Sequence, residues 1–146
     1  MTVVAVRVLT IADYDQAMAV WQRSGLHSLR PSGRDSREAF AEQLTSGTQK
    51  LIGLELHGNL VGVVLTTHDG RKGWINRLAV LPELRRRGYA QQLVAEAERV
   101  LRSQGITVIA VLIEPDNQES LALFQQLGYA ELPGMHYLSK RESADA

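Results

Sequence analysis

Leu78-Ala79-Val80-Leu81-Pro82-Glu83-Leu84-Arg85-Arg86-Arg87-Gly88-Tyr89-Ala90 is the stretch that decides how the rest of the chain is read. An apolar strand from Trp74 to Leu81 meets Pro82, which cannot donate to a sheet ladder. A short loop carries three arginines and one glycine, and then a helical period begins. Ala90, Leu93, Val94, Ala97, Val100 and Leu101 fall on one stripe, with Glu96, Glu98, Arg99 and Arg102 opposite. Gly105 stands where a helix C-cap glycine belongs.

The first N–H groups of a helix lack partners within it, and the macrodipole adds positive potential there, so a helix start is a ready anion site. Gly88 permits close approach to the backbone, and the arginines supply fork-shaped donors suited to phosphate. The turn is therefore read as a phosphate or pyrophosphate cradle. It is neither a Walker loop nor a G-x-G-x-x-G dinucleotide fingerprint.

Outward from this turn, strand-like Val3 to Leu9 precedes Thr10-x-x-Asp13, a capping-box pattern with Asp for Glu. Ile11, Tyr14, Ala17, Met18 and Trp21 recur at helical spacing as far as Gly25. Leu26 to Arg34, with Pro31 and Gly33, reads as a loop. Asp35 with Glu38 is expected to start a second helix through Phe40 and Leu44. Lys50 to Leu56 and Leu60 to Thr67 read as strands joined by a Gly58-Asn59 hairpin turn. Beyond the central helix, Ile106 to Ile113 is a near-continuous apolar run, expected of a strand buried on both faces and parallel to its neighbour through a right-handed crossover. Asn117 suits an N-cap for a helix lined by Leu121, Phe124 and Leu127. Tyr129 to Leu132 and Met135 to Leu138 are expected to form a last pair of strands around Pro133-Gly134.

The expected fold is thus α/β: a mixed, mainly antiparallel sheet flanked by helices, in the order β-α-α-β-β-β-α-β-α-β-β. Residues 1–140 read as one domain and 141–146 as a frayed tail. Sixteen Lys and Arg balance sixteen Asp and Glu, which argues against nucleic acid as a partner, since that needs a basic face. There is no cysteine, hence no disulfide or thiol nucleophile. No apolar run approaches transmembrane length, and Met1 to Leu9 carries no charged leader region, so no membrane partner and a cytoplasmic location are expected. The four histidines are scattered, so no metal is expected. Exposed sheet edges leave a homodimer open.

Arg85-x-x-Gly88-x-Ala90 after Leu78-Ala79-Val80 resembles the [QR]-x-x-G-x-[GA] pyrophosphate loop of the GNAT superfamily of acyl-CoA-dependent N-acyltransferases. The element order resembles that family over essentially the whole chain. Asn117-x-x-Ser120-x-x-Leu123-Phe124 through Leu127-Gly128-Tyr129 resembles its N-x-x-A-x-x-L-Y helix. The resemblance implies acetyl-CoA as co-substrate and acetyl transfer to an amine of a small molecule or protein, by direct attack in a ternary complex. It implies that Leu78, Ala79 and Val80 line the pantetheine arm, with the Val80 N–H toward the thioester oxygen. Arg85, Arg86, Arg87, Gly88, Tyr89, Ala90 and Gln91 would wrap the pyrophosphate. Asn117 and Phe124 would lie near the cofactor's thiol end.

Phe124 stands where the family often has a proton-donating tyrosine, so Tyr129 is a candidate substitute and Glu114 a candidate base acting through water. A CoA-binding module with lost or weak catalysis is the alternative reading, with Phe124 as its trace. Trp21, His27 and Arg30, on the first helix and its following loop, are the candidates for gripping the acceptor, whose identity stays open.

Overall fold

The computed structural model describes residues 3–146; of the strand-like N-terminal run, Met1 and Thr2 lie outside the described residues. Among the described residues five strands form one sheet in the order β1-β2-β3-β4-β5. They are β1 (Val4–Val8), β2 (Gln49–Leu56), β3 (Asn59–His68), β4 (Gly73–Val80) and β5 (Ile109–Val111). The first four pair antiparallel and β5 runs parallel to β4. Four α-helices among the described residues flank them: α1 (Tyr14–Arg23), α2 (Arg37–Thr45), α3 (Tyr89–Ser103) and α4 (Gln118–Gln126).

Local chemistry sets the element starts. A 3-10 turn, Ile11–Asp13, leads into α1; the Thr10 N–H donates to Asp13 Oδ2 at 2.9 Å, and Thr10 Oγ1 accepts from the Ala12 N–H at 3.3 Å. The cap of α2 is Ser36, whose Oγ accepts from the Ala39 N–H at 3.1 Å, and not Asp35. The β2–β3 turn is His57-Gly58, one residue earlier than expected. Both residues have positive φ, 52° and 80°, the geometry of a type I′ hairpin whose twist matches its strands.

The amphipathic α3 agrees with its sequence period: Leu93, Val94, Ala97, Val100 and Leu101 are buried as its stripe requires. They pack on the sheet, where Gly62 and Gly73 let the helix close in; a Cβ on Gly62 would lie 2.9 Å from Leu93 Cδ1. On the other face, Trp21 and Phe40 pack with tilted rings, 5.9 Å between centroids, and fill the space under α1 and α2.

Two expectations at the C-terminal end are corrected. β5 is three residues long, and Val108 and Leu112 beside it are exposed, so this strand is not buried on both faces. The last two strands do not form. Residues 130–140 run as coil with Leu132, Met135, Tyr137 and Leu138 exposed, because so short an edge gives no ladder to template them. The terminal residues reach back to the α1–α2 loop, with the Asp145 backbone against Gly33.

Candidate functional site

The sheet opens in its middle. β5 pairs with β4 only from Gly73↔Ile109 to Ile75↔Val111, while β4 continues to Val80. Past Ile75 the strands diverge, and the space between them is a cleft of about 790 Å³. One wall is Leu78, Ala79 and Val80; the opposite wall is Glu114, Asp116, Asn117, Ser120 and Leu123. The turn Arg85, Arg86, Gly88, Tyr89, Ala90 and Gln91 closes one end, and Ser24 to Ser28 of the α1–α2 loop closes another side.

The β4 backbone is aimed into this space. The Leu81 N–H donates to Val61 O across the β3 ladder at 2.9 Å. By strand alternation the N–H and C=O of Val80, and of Leu78 before it, face the opposite, open edge. The Val80 carbonyl accepts from Arg85 Nε at 3.4 Å on that side.

The turn into α3 carries two left-handed residues, Arg86 (φ 64°) and Gly88 (φ 82°). Gly88 is the N-cap and provides no side-chain cap, so the N–H groups of the first helical turn stay open. A Cβ on Gly88 would meet nothing within 4 Å, so the ground in front of these donors is clear. Arg85 is held in place by Val80 O and by Ser24 O at 3.3 Å. Arg86 and Arg87 make no hydrogen bond or ion pair among the described residues and remain available as cations. Open helix N–H groups, successive amides turned through left-handed backbone, and free guanidinium groups together suit a diphosphate.

The chain matches the Acetyltransferase (GNAT) family over residues 11–129. It belongs to the GNAT acetyltransferases. Solved structures of like fold include the aminoglycoside N-acetyltransferase AAC(6')-Iy in complex with CoA, 20% identical, TM-score 0.81, 97% of each chain covered. A ribosomal-protein-alanine N-acetyltransferase from Brucella melitensis is 17% identical, TM-score 0.76, with 95% of this chain and 100% of that one covered. The PaiA N-acetyltransferase from Thermoplasma acidophilum, in complex with coenzyme A, is 18% identical, TM-score 0.74, with 86% of this chain and 88% of that one covered. At these identities the likeness is one of fold.

Within this GNAT cleft the structure gathers Leu78 to Val80, Arg85, Arg86, Gly88 to Gln91, Asn117, Glu114 and His27. Asn117 also caps α4, its Oδ1 accepting from the Ser120 N–H at 3.1 Å. Arg87 is exposed beside the turn and does not line the cleft.

Four further candidates do not reach it. Trp21 is wholly buried, its indole N–H donating to Arg77 O at 2.7 Å, and no acceptor can touch it. The Arg30 guanidinium folds back on its own loop, donating to His27 O at 3.2 Å and Leu29 O at 2.9 Å. Phe124 is buried edge-on to Tyr129, with ring centroids 5.1 Å apart. The Tyr129 hydroxyl donates to Glu98 Oε2 on α3 at 2.7 Å. That bond ties the hydroxyl to α3, and Tyr129 does not line the cleft; burial, and then that carboxylate, push its pKa well above the tyrosine range, so it is not poised to give up a proton.

Sequence reasoning passed over Ser28, Asp116, Glu119 and Ser120, which also line the cleft. The α4 residues were accessible from spacing, since Glu119, Ser120 and Leu123 share one face of the helix that follows the Asn117 cap, with Asp116 just before it. Among the described residues no group of three or more His, Asp or Glu gathers as a metal site, and no helix is long and apolar enough to cross a membrane.

Proposed function

We propose that the protein transfers an acetyl group from acetyl-CoA to an amine, by direct attack within a ternary complex. The observation that carries this reading is the opening between β4 and β5, bounded at one end by the left-handed Arg86-to-Gly88 turn of α3. Open donors and free cations at the turn fit a diphosphate. The unpaired edge of Leu78 to Val80 fits the amide-bearing arm of coenzyme A, which can pair with it as an added strand. The cofactor supplies an activated acyl group: the amine nitrogen bonds to the thioester carbon, the carbon–sulfur bond breaks, and the amine proton passes to solvent or to the departing thiolate.

The chain's own part is placement and polarisation. The Val80 N–H, on the open edge, would donate to the thioester oxygen, a preorganised dipole in the cleft. Held at reacting distance, an amine needs only to be neutral. An α-amino group of pKa about 8 is roughly 10% neutral at pH 7, a lysine amine of pKa about 10.4 under about 0.1%. His27 and Glu114, both in the cleft wall, are the groups placed to take up a proton, directly or through water. A thiol of pKa about 8.5 leaves as thiolate near neutrality, so the absence of Phe124 and Tyr129 from the cleft does not block the reaction.

The second reading is a CoA-binding module with lost or weak catalysis. It is favoured by one observation, that neither Phe124 nor Tyr129 presents a group to the cleft. Thermal-shift titration with acetyl-CoA and CoA, with ATP as control, tests cofactor binding. A ligand at about 100 times its Kd stabilises by roughly 2.7 kcal/mol, several degrees in Tm. Consumption of acetyl-CoA across a panel of amines then separates the enzyme from the module. No shift with either CoA ligand overturns both readings. A cytoplasmic location belongs to the same proposal.

A further inference from the structure

Behind the cleft wall lies a charged pair that takes no part in the acetyl transfer itself. Asp35, at the end of the α1–α2 loop, is 2% exposed, and Arg77 of β4 has a side chain only 11% exposed. Arg77 donates to both Asp35 oxygens, one at 3.0 Å. Asp35 Oδ2 also accepts from the Arg30 N–H at 2.6 Å, and the Asp35 carbonyl accepts from the Tyr14 hydroxyl. Arg77 further reaches Ser28 O at 3.4 Å. Each contact joins the loop to β4 or to α1, or braces the loop on itself, and His27 and Ser28 belong to the loop's cleft-facing wall.

Arg77 is itself unusual. Its φ is 55°, left-handed for a residue with a side chain, and the β3–β4 register shifts here. Such a bulge re-aims the strand beyond it, which here is Leu78 to Val80. The kinked carbonyl is held by the Trp21 indole. Stability alone does not account for the pair, since a buried ion pair gains little over apolar residues of similar size.

We propose that Asp35, clamped by Arg77, is a positioning residue for the acceptor: it locks residues 26–36 against the β4 kink, so that His27 and Ser28 stand at a fixed distance from the acyl end of the cleft. This rests on the acetyltransferase reading. Asp35 touches neither substrate. The kink itself is backbone, held at the Arg77 carbonyl by the Trp21 indole, so losing the side-chain pair should fall on the loop and the amine side and leave the Leu78-to-Val80 edge and the Arg85-to-Gln91 turn largely in place.

The test uses the whole chain with two variants, Arg77→Lys, which keeps the charge and loses the fork, and the double Asp35→Asn/Arg77→Met. The double variant removes both charges together and keeps an oxygen for the Arg30 N–H. Each is assayed for cooperative melting, acetyl-CoA affinity by calorimetry, backbone hydrogen exchange over 26–36, and kinetics with neamine, an Ala-initiated peptide and spermidine. The expected result is a folded protein with acetyl-CoA Kd within about twofold of the parent. Exchange over 26–36 should be faster, and KM for whichever probe amine the parent uses should rise about tenfold or more, with Arg77→Lys between the two.

A folded double variant whose amine KM and loop exchange match the parent overturns the proposal, as does a loss confined to acetyl-CoA affinity. If the parent binds no acetyl-CoA and uses none of the probes, the acetyltransferase reading fails instead. The exchange arm still decides whether the pair holds the loop.

Discussion

Gly88 stands at the point where a diphosphate would meet helix α3. At φ 82° it is left-handed, and the space in front of its missing Cβ is empty. Gly88→Ala therefore adds backbone strain of about 1–2 kcal/mol without a clash. Gly88→Asp adds the same strain plus a negative charge among open N–H groups and free guanidinium groups. Both should lower Tm similarly; only Gly88→Asp should abolish acetyl-CoA binding in calorimetry, with Gly88→Ala losing a smaller part. Equal affinities for the two variants would remove the diphosphate from this turn.

Phe124 makes the opposite case. Phe124→Tyr places a hydroxyl in a buried site against Tyr129, where an unpaired polar group costs about 1–3 kcal/mol. Tm should fall by several degrees and acetyl-CoA consumption should not rise; a faster enzyme would mean that the new hydroxyl finds the cleft. From sequence, Gly88 was legible because it sits at a boundary between two periods. The apolar stripes put Trp21 and Phe124 on the inner faces of their helices, but did not show that those faces meet the core and leave the cleft, because a helical stripe gives the buried face of a helix and not what lies across from it.

At the scale of elements, α3 carries the argument, since it both presents the turn and fills the core. Leu93 is wholly buried, and its Cδ1 occupies the space that a Cβ on Gly62 would enter. Leu93→Ala should cost about 2–5 kcal/mol, read as a lower midpoint in denaturant. Gly62→Ala alone should cost roughly 1–3 kcal/mol by overpacking. In the Leu93→Ala background Gly62→Ala should cost less, because its obstacle is gone; strict additivity of the two would deny the contact. This element, the β2–β3 hairpin and the parallel crossover were legible because each is written in local period and turn chemistry. The last two expected strands were written in period as well, in residues 129–132 and 135–138. Whether they pair depends on a neighbour's edge, and β5 is too short to offer one. Asp35 reads as an N-cap from sequence for the same reason: its partner Arg77 lies 42 residues away in the chain, beyond the reach of a local pattern.

At the scale of the whole molecule, charge balance hides a set of specific ties. Arg7 on β1 donates to Asp13 at 2.9 Å and to Glu55 on β2 at 2.7 Å, joining the first strand, the start of α1 and the sheet. The bond from Arg7 is the main cause that holds the Asp13 carboxyl below its ordinary value of 3.8, and the Arg99 guanidinium does the same for Glu96 on α3. A carboxyl depressed in the folded state contributes stability above its unfolded pKa and loses it as pH falls through the lower folded value. Tm should therefore stay nearly level from about pH 8 to about pH 5 and fall below about pH 4 as these groups take up protons. Asp13→Asn should lower Tm at neutral pH, where the Arg7 tie is lost, and make the acid fall shallower, so that the two proteins converge near about pH 2. Melting curves of both across that range decide it: parallel curves down to the acid limit would mean that Asp13 carries none of the acid sensitivity, and coincident curves that the Arg7 tie is replaced by solvent at no cost.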